Sequence, residues 1–162
     1  MLCHAIGAQS AFPRRQVISL SGDGGFSMMM GDILTLVQCR LPVKIVVYNN
    51  GTLGFVALEM KASGFLETGT DLQNPDFAAM AKAIGIHARR VEEPNELQGA
   101  VAEFLAHDGP ALLDVVTNKQ ELAMPPTITP AQVKGFGLWA LHAVMNGRGD
   151  ELIDLARTNL LR

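Results

Sequence analysis

The chain has 162 residues, 48% of them hydrophobic and 18% charged, with a formal net charge of −3. That suits one well-buried globular core and excludes nucleic acid as a partner, since no basic run or interleaved aromatic stripe accompanies the acidic balance. Cys3 and Cys39 are too few and too distant for a disulfide framework or a zinc site, the four histidines are scattered, and no apolar run reaches the roughly 18–20 residues that cross a bilayer.

In chain order, Met1 to Ala8 is apolar but lacks a basic leader, and it reads as the end of a helix packing onto the first strand. A turn at Pro13-Arg14-Arg15 precedes a strand, Val17 to Ser21, and Gly22-Asp23-Gly24-Gly25 turns its carboxyl end. Helical spacing from Met28 to Cys39 follows, with Met28, Met29 and Met30 expected to fill core gaps. Val43 to Tyr48 is a second apolar strand ending on Asn49-Asn50, and the loop to Gly54 leads into a short helix from Phe55 to Lys61. Ser63 to Leu72, rich in glycine and threonine, is expected to be a mobile loop. Asn74 is expected to cap a helix with Pro75 in its first turn, running through Met80 to Ile84. Ile86 to Val91 is a third strand. Glu96 to His107 is an amphipathic helix stopped by Asp108-Gly109-Pro110, and Ala111 to Val116 is a fourth strand interrupted only by Asp114.

Alternating helices and near-continuous apolar strands predict an α/β fold over residues 1–122, a parallel sheet flanked by helices on both faces. Pro125, Pro126 and Pro130 mark a linker over 123–131. Beyond it, 132–162 is expected to be a helical tail of two helices split near Gly147-Arg148-Gly149.

The chemistry concentrates at two strand ends. Twenty-four residues, 25 to 48, separate Gly22-Asp23-Gly24 from Asn49-Asn50, and a parallel sheet brings both groups to the carboxyl edge where ligands bind. Asp23 offers a hard anionic oxygen and Asn50 a neutral one, a set that suits Mg²⁺ together with phosphate oxygens and water. The glycines allow backbone N–H groups close to a phosphate, helped by the start of the following helix. The turn has no Gly-x-x-x-x-Gly-Lys, Ser27 breaks the dinucleotide fingerprint, and no Gly-x-Ser-x-Gly elbow exists.

This pair of motifs resembles the diphosphate-binding motif of the thiamine-diphosphate enzymes. Val43 to Lys61, with Gly147 to Glu151 and Ala156 to Asn159, resembles the C-terminal part of bacterial quinone-linked pyruvate oxidases. The resemblance implies that Asp23, Asn50 and the carbonyl of Thr52 bind Mg²⁺. Gly22, Gly24, Gly25, Phe26, Leu53 and Gly54 then line the cofactor. It also implies that Phe55 and Glu59, one helical turn apart, face the reacting end of thiamine diphosphate and shape a site for pyruvate or a similar 2-oxo acid.

In such an enzyme FAD, held by a domain outside this chain, passes electrons to a quinone, and the glutamate that activates the cofactor also lies outside. The isolated chain is therefore expected to be inactive, and the parent a homo-oligomer. The apolar stripe Leu152, Ile153, Leu155, Ala156, Leu160 and Leu161 suits either docking on its own protein or lying in a bilayer interface. The protein is expected to be cytoplasmic, and the second option adds peripheral contact to the inner face of the plasma membrane. Two other readings stay open: the small subunit of a split 2-oxo acid decarboxylase, and a non-catalytic membrane-associating module.

Overall fold

A computed structural model describes residues 2–121 and 127–160. They form two compact units, one of residues 2–51 and 73–117, the other of residues 52–72 with those from 118 onward. Residues 52–72 thus group with the tail rather than with the sheet.

The first unit is built on four parallel strands, β1 (Ile18–Gly22), β2 (Lys44–Asn49), β3 (His87–Val91) and β4 (Ala111–Val116), in the order β1-β2-β4-β3. Helices α1 (Leu2–Ala11), α2 (Asp23–Ser27), α3 (Ile33–Gln38), α5 (Phe77–Ala83) and α6 (Leu97–Ala106) surround it. On one face Ile45, Val47, Ala88 and Leu112 pack with Leu2, Leu36, Phe77 and Ala81. Phe77 has no exposed surface, so its burial is worth about 3 kcal/mol. On the other face Val91, Ala111 and Leu113 meet Ala100 and Phe104 of α6.

Helix cover on this second face ends short of β1, where Ile18 and Leu20 are 45% and 57% exposed. Gly22 pairs with Tyr48 and Asn49 with Val116, so β1 and β2 finish together at one edge.

Three local expectations fail, each for a visible reason. The helix expected over 28–39 is broken: α2 ends at Ser27, Met30–Asp32 is a 3-10 turn, and α3 starts at Ile33. Gly31 sits at the break, where glycine costs about 1 kcal/mol of helix stability relative to alanine. Met28 is consequently 75% exposed and Met29 45%, and of the three methionines only Met30 packs on the core. The cap of α5 is Asp76, whose carboxylate accepts the Ala79 N–H at 2.8 Å, and not Asn74.

The second unit contains α4 (Gly54–Ala62), α7 (Pro130–Met145) and α8 (Gly149–Leu160). Pro130, expected in the linker, is the first residue of α7. Proline suits that position, and Thr129 and Gln132 close a capping box around it. Residues 123–126 of the expected linker lie outside the described residues.

Trp139, Ala143 and Leu155 form the core of this unit, joined by Leu66, Phe136 and Leu152. Leu152 and Leu155 of the predicted stripe thus dock on α7, whereas Ile153 is 55% exposed. Leu161 and the Leu160 side chain lie outside the described residues. Residues 63–72 contain no helix or strand, but Thr70 is buried and its carbonyl accepts the Leu53 N–H at 2.8 Å.

Glu67 ties this unit together. It pairs with Lys61 at 2.5 Å and accepts from Trp139 Nε1 at 3.1 Å and Arg148 Nη2 at 3.3 Å. Burial alone would raise its pKa, but Lys61, a backbone N–H and Trp139 outweigh that and hold it below the ordinary glutamate value.

Candidate functional site

The carboxyl ends of β1 and β2 place Asp23 and Asn49 at one edge of the sheet. Asp23 opens α2 directly after β1 and is only 2% exposed. Its Oδ1 accepts the Gly24 N–H at 2.8 Å. Its Oδ2 accepts the Gly51 N–H at 2.7 Å and Asn74 Nδ2 at 2.7 Å. A carboxylate has about four accepting positions, so three are filled from within the chain and one remains on Oδ1. Hydrogen bonds to a charged acceptor contribute about 1.5–3 kcal/mol each, so this carboxylate is held in one orientation.

Gly51 takes φ +68, a left-handed conformation that glycine adopts without strain, in the turn that delivers its N–H to Asp23.

Asn49 closes β2. Its Nδ2 donates to Asp114 Oδ1 at 3.0 Å and its Oδ1 accepts from Asn74 Nδ2 at 2.9 Å. Asp114, fully buried in β4, also pairs with Arg90 Nη1 at 2.8 Å. Asn50 lies half-buried between Asn49 and Gly51.

The remaining expected residues divide as follows. Gly22, Gly24, Gly25 and Phe26 belong with Asp23 in the first unit. The Phe26 ring is core, edge-on to Phe77 with centroids 5.3 Å apart, so only its backbone is available to a ligand. The Gly24 N–H is engaged by Asp23, and α2 is five residues long, so its dipole adds less than a full helix would. Thr52, Leu53, Gly54, Phe55 and Glu59 belong to the second unit. There the Thr52 carbonyl accepts the Gly54 N–H at 2.9 Å, and Phe55 and Glu59 are both exposed on α4.

The donor set fits a hard divalent cation with a phosphate. Within the first unit Asp23 carries a carboxylate oxygen and Asn50 an amide oxygen, the ligand class Mg²⁺ prefers. Among the described residues no cluster of three His, Cys, Asp or Glu side chains competes for a metal. A Cβ built at Gly22 or Gly25 would meet no atom within 4 Å, which leaves room beside the carboxylate.

Asn74 and Asp114 are the site residues missed in the sequence. Asn74 carries the signal of a helix cap. Asp114 carried one that could have found it, a lone charge inside an apolar strand.

Comparison with known proteins gives the family of the chain. Residues 1–115 match the family model of the thiamine pyrophosphate enzymes, C-terminal TPP binding domain. The "Putative thiamine pyrophosphate-containing protein YdaP" of Bacillus subtilis is 37% identical over 154 residues, 95% of this chain and 27% of that protein. The mitochondrial acetolactate synthase catalytic subunit of Saccharomyces cerevisiae is 38% identical over 124 residues, covering 75% of this chain and 18% of the relative. The solved thiamine diphosphate-dependent 4-hydroxybenzoylformate decarboxylase of Rhodococcus jostii superposes with a TM-score of 0.66 at 36% identity, over 70% of this chain and 22% of that one. The chain therefore spans about a quarter or less of these proteins. The names of the Bacillus and Rhodococcus proteins carry thiamine diphosphate, and none of the three names quinone-linked pyruvate oxidation.

Proposed function

This chain belongs to the thiamine pyrophosphate enzymes, as their C-terminal TPP-binding domain, and from that premise we propose that it anchors the cofactor's diphosphate through one Mg²⁺ in a longer 2-oxo acid enzyme. The observation that carries the reading is Asp23, a buried carboxylate fixed at a strand end with one accepting position left. Asp23 and Asn50 would hold the ion, and the resemblance adds the Thr52 carbonyl. Backbone N–H groups of Gly25 and Phe26 would meet the diphosphate, because the first N–H groups of a helix have no intrahelical acceptor. Thiamine diphosphate, when bound, supplies the nucleophilic carbon and the electron sink for decarboxylation. The protein's part here is to bind and orient.

The finer reading is a pyruvate:quinone oxidoreductase, making acetate and CO₂, with FAD bound elsewhere in the parent. Phe55 and Glu59 support it as exposed, adjacent positions on α4 that could shape a substrate pocket. The match to one relative across the tail is compatible with it. Acetolactate formation is the second reading, favoured by synthases at 36–38% identity. Under either, the chain alone is expected to be inactive, the parent a homo-oligomer, and peripheral membrane contact through the tail belongs only to the oxidase.

Two experiments test this. Thiamine diphosphate should stay with the native full-length protein through gel filtration in Mg²⁺ and be released by EDTA; retention in EDTA contradicts the metal anchor. Product analysis with pyruvate then separates acetate with reduced quinone from acetolactate.

A further inference from the structure

A line of hydrogen bonds runs from β3 to the candidate metal ligand. Arg90 Nη1 donates to Asp114 Oδ2 at 2.8 Å, and Asn49 Nδ2 donates to Asp114 Oδ1 at 3.0 Å. Asn74 Nδ2 then donates to Asn49 Oδ1 at 2.9 Å and to Asp23 Oδ2 at 2.7 Å. Asp114, Asn49 and Asp23 are all buried, at 0%, 7% and 2% exposure.

Charge sets the direction of every bond in this line. Arg90 can only donate, and Asp114, paired with it, only accepts. Asn49 must therefore turn its NH₂ to Asp114 and its oxygen to Asn74. Asn74 must in turn present its NH₂, and both of its protons are then used, one on Asn49 and one on Asp23. A flipped amide at either asparagine would set oxygen against oxygen in a buried place.

The geometry points to Asn74 as a positioning residue of the metal site. With Gly51 it fills Oδ2 of Asp23 and leaves Oδ1 as the atom that takes the cation, while Arg90 and Asp114, acting through Asn49, hold its amide in the donating orientation. This rests on the Mg²⁺ reading proposed above. Groups that orient a ligand from behind are worth about 10- to 100-fold in metal affinity.

The test uses Mn²⁺ with thiamine diphosphate on the full-length protein, read by the EPR signal of free Mn²⁺, with thermal midpoints taken in EDTA. Asn74→Ala should weaken Mn²⁺ binding at least tenfold at temperatures where the metal-free variant is fully folded. Lost stability alone would not change affinity there. Asp114, which hydrogen-bonds to Asn49 and Arg90, is one residue removed from Asn74 along the line, and Asp114→Asn keeps the volume but removes the anchor. It should weaken Mn²⁺ several-fold and, in the full 162-residue chain, shift the side-chain amide signals of Asn74. Wild-type affinity in folded Asn74→Ala overturns the inference and leaves the Mg²⁺ reading intact, as does an Asn74 amide signal unmoved by Asp114→Asn. If the wild-type protein itself takes up no Mn²⁺, the Mg²⁺ reading fails and the inference falls with it.

Discussion

Gly135 and Gly137 lie two residues apart in the interior of α7, yet replacing each with alanine should move stability in opposite directions. A Cβ at Gly135 would lie 1.9 Å from the carbonyl oxygen of Ala62 and 2.7 Å from its carbon, at the end of α4. Both are backbone atoms that no rotamer change can remove. Restoring an ordinary contact requires α4 and α7 to part by about 1.3 Å, since non-bonded carbons and oxygens approach no closer than about 3.2 Å.

That movement opens the interior of the unit around fully buried Trp139 and Ala143. Overpacking of this kind costs about 1–3 kcal/mol or more, against which alanine recovers only about 0.8–1.0 kcal/mol of helix propensity. Because the contact is with backbone, the upper end applies, and Gly135→Ala should lose about 2 kcal/mol net. At Gly137 a Cβ meets no atom within 4 Å, so Gly137→Ala keeps the propensity gain and should be stabilising by about 0.5–1 kcal/mol. Trp139 is the only tryptophan, so urea unfolding followed by its fluorescence reports this unit selectively. A Gly135→Ala variant as stable as wild type would refute the reasoning, and so would two variants shifting together.

Other perturbations have equally definite outcomes. Phe77→Ala should cost about 3–5 kcal/mol in thermal or urea unfolding of the sheet unit, because a fully buried aromatic leaves a cavity. Glu67 has a folded-state pKa below its ordinary value of 4.5, so its contribution is complete above that value and is lost as pH falls through the lower one. An acid titration of Trp139 fluorescence should show this loss, and Glu67→Gln should flatten it. Phe55→Ala and Glu59→Gln, both at exposed positions, should leave unfolding midpoints within about 0.5 kcal/mol of wild type while lowering turnover of the full-length enzyme. Unchanged turnover would remove both from the substrate site.

What could be read from the sequence was local. Runs of five or six residues, largely apolar in β2 and β4 and mixed with serine or charge in β1 and β3, located four strands, and their alternation with helices implied a parallel sheet. Asp23 and the asparagine pair stood out because strand ends in such sheets are where ligands bind. Asn74 was hidden, since Asn-Pro-Asp before an apolar run is equally a cap signal, and the cap fell to Asp76, two residues on. What Asn74 does depends on partners 51 and 25 residues away, which no local pattern encodes. Asp114 was visible as a misfit, but its partners Asn49 and Arg90 lie on two other strands. The stripe in the last helix was legible, and its docking against Trp139 required the packed unit to be seen.

The central claim is that Asp23 anchors a diphosphate through Mg²⁺. Calorimetric titration of thiamine diphosphate into the full-length protein, wild type and Asp23→Ala, with Mg²⁺ and then with EDTA, tests it most directly. Binding by wild type in Mg²⁺ only, lost from the measurable range in Asp23→Ala while the fold persists, is the expected result. Equal affinity in the variant, or binding that survives EDTA, would contradict the assignment of this strand end as the cofactor's anchor.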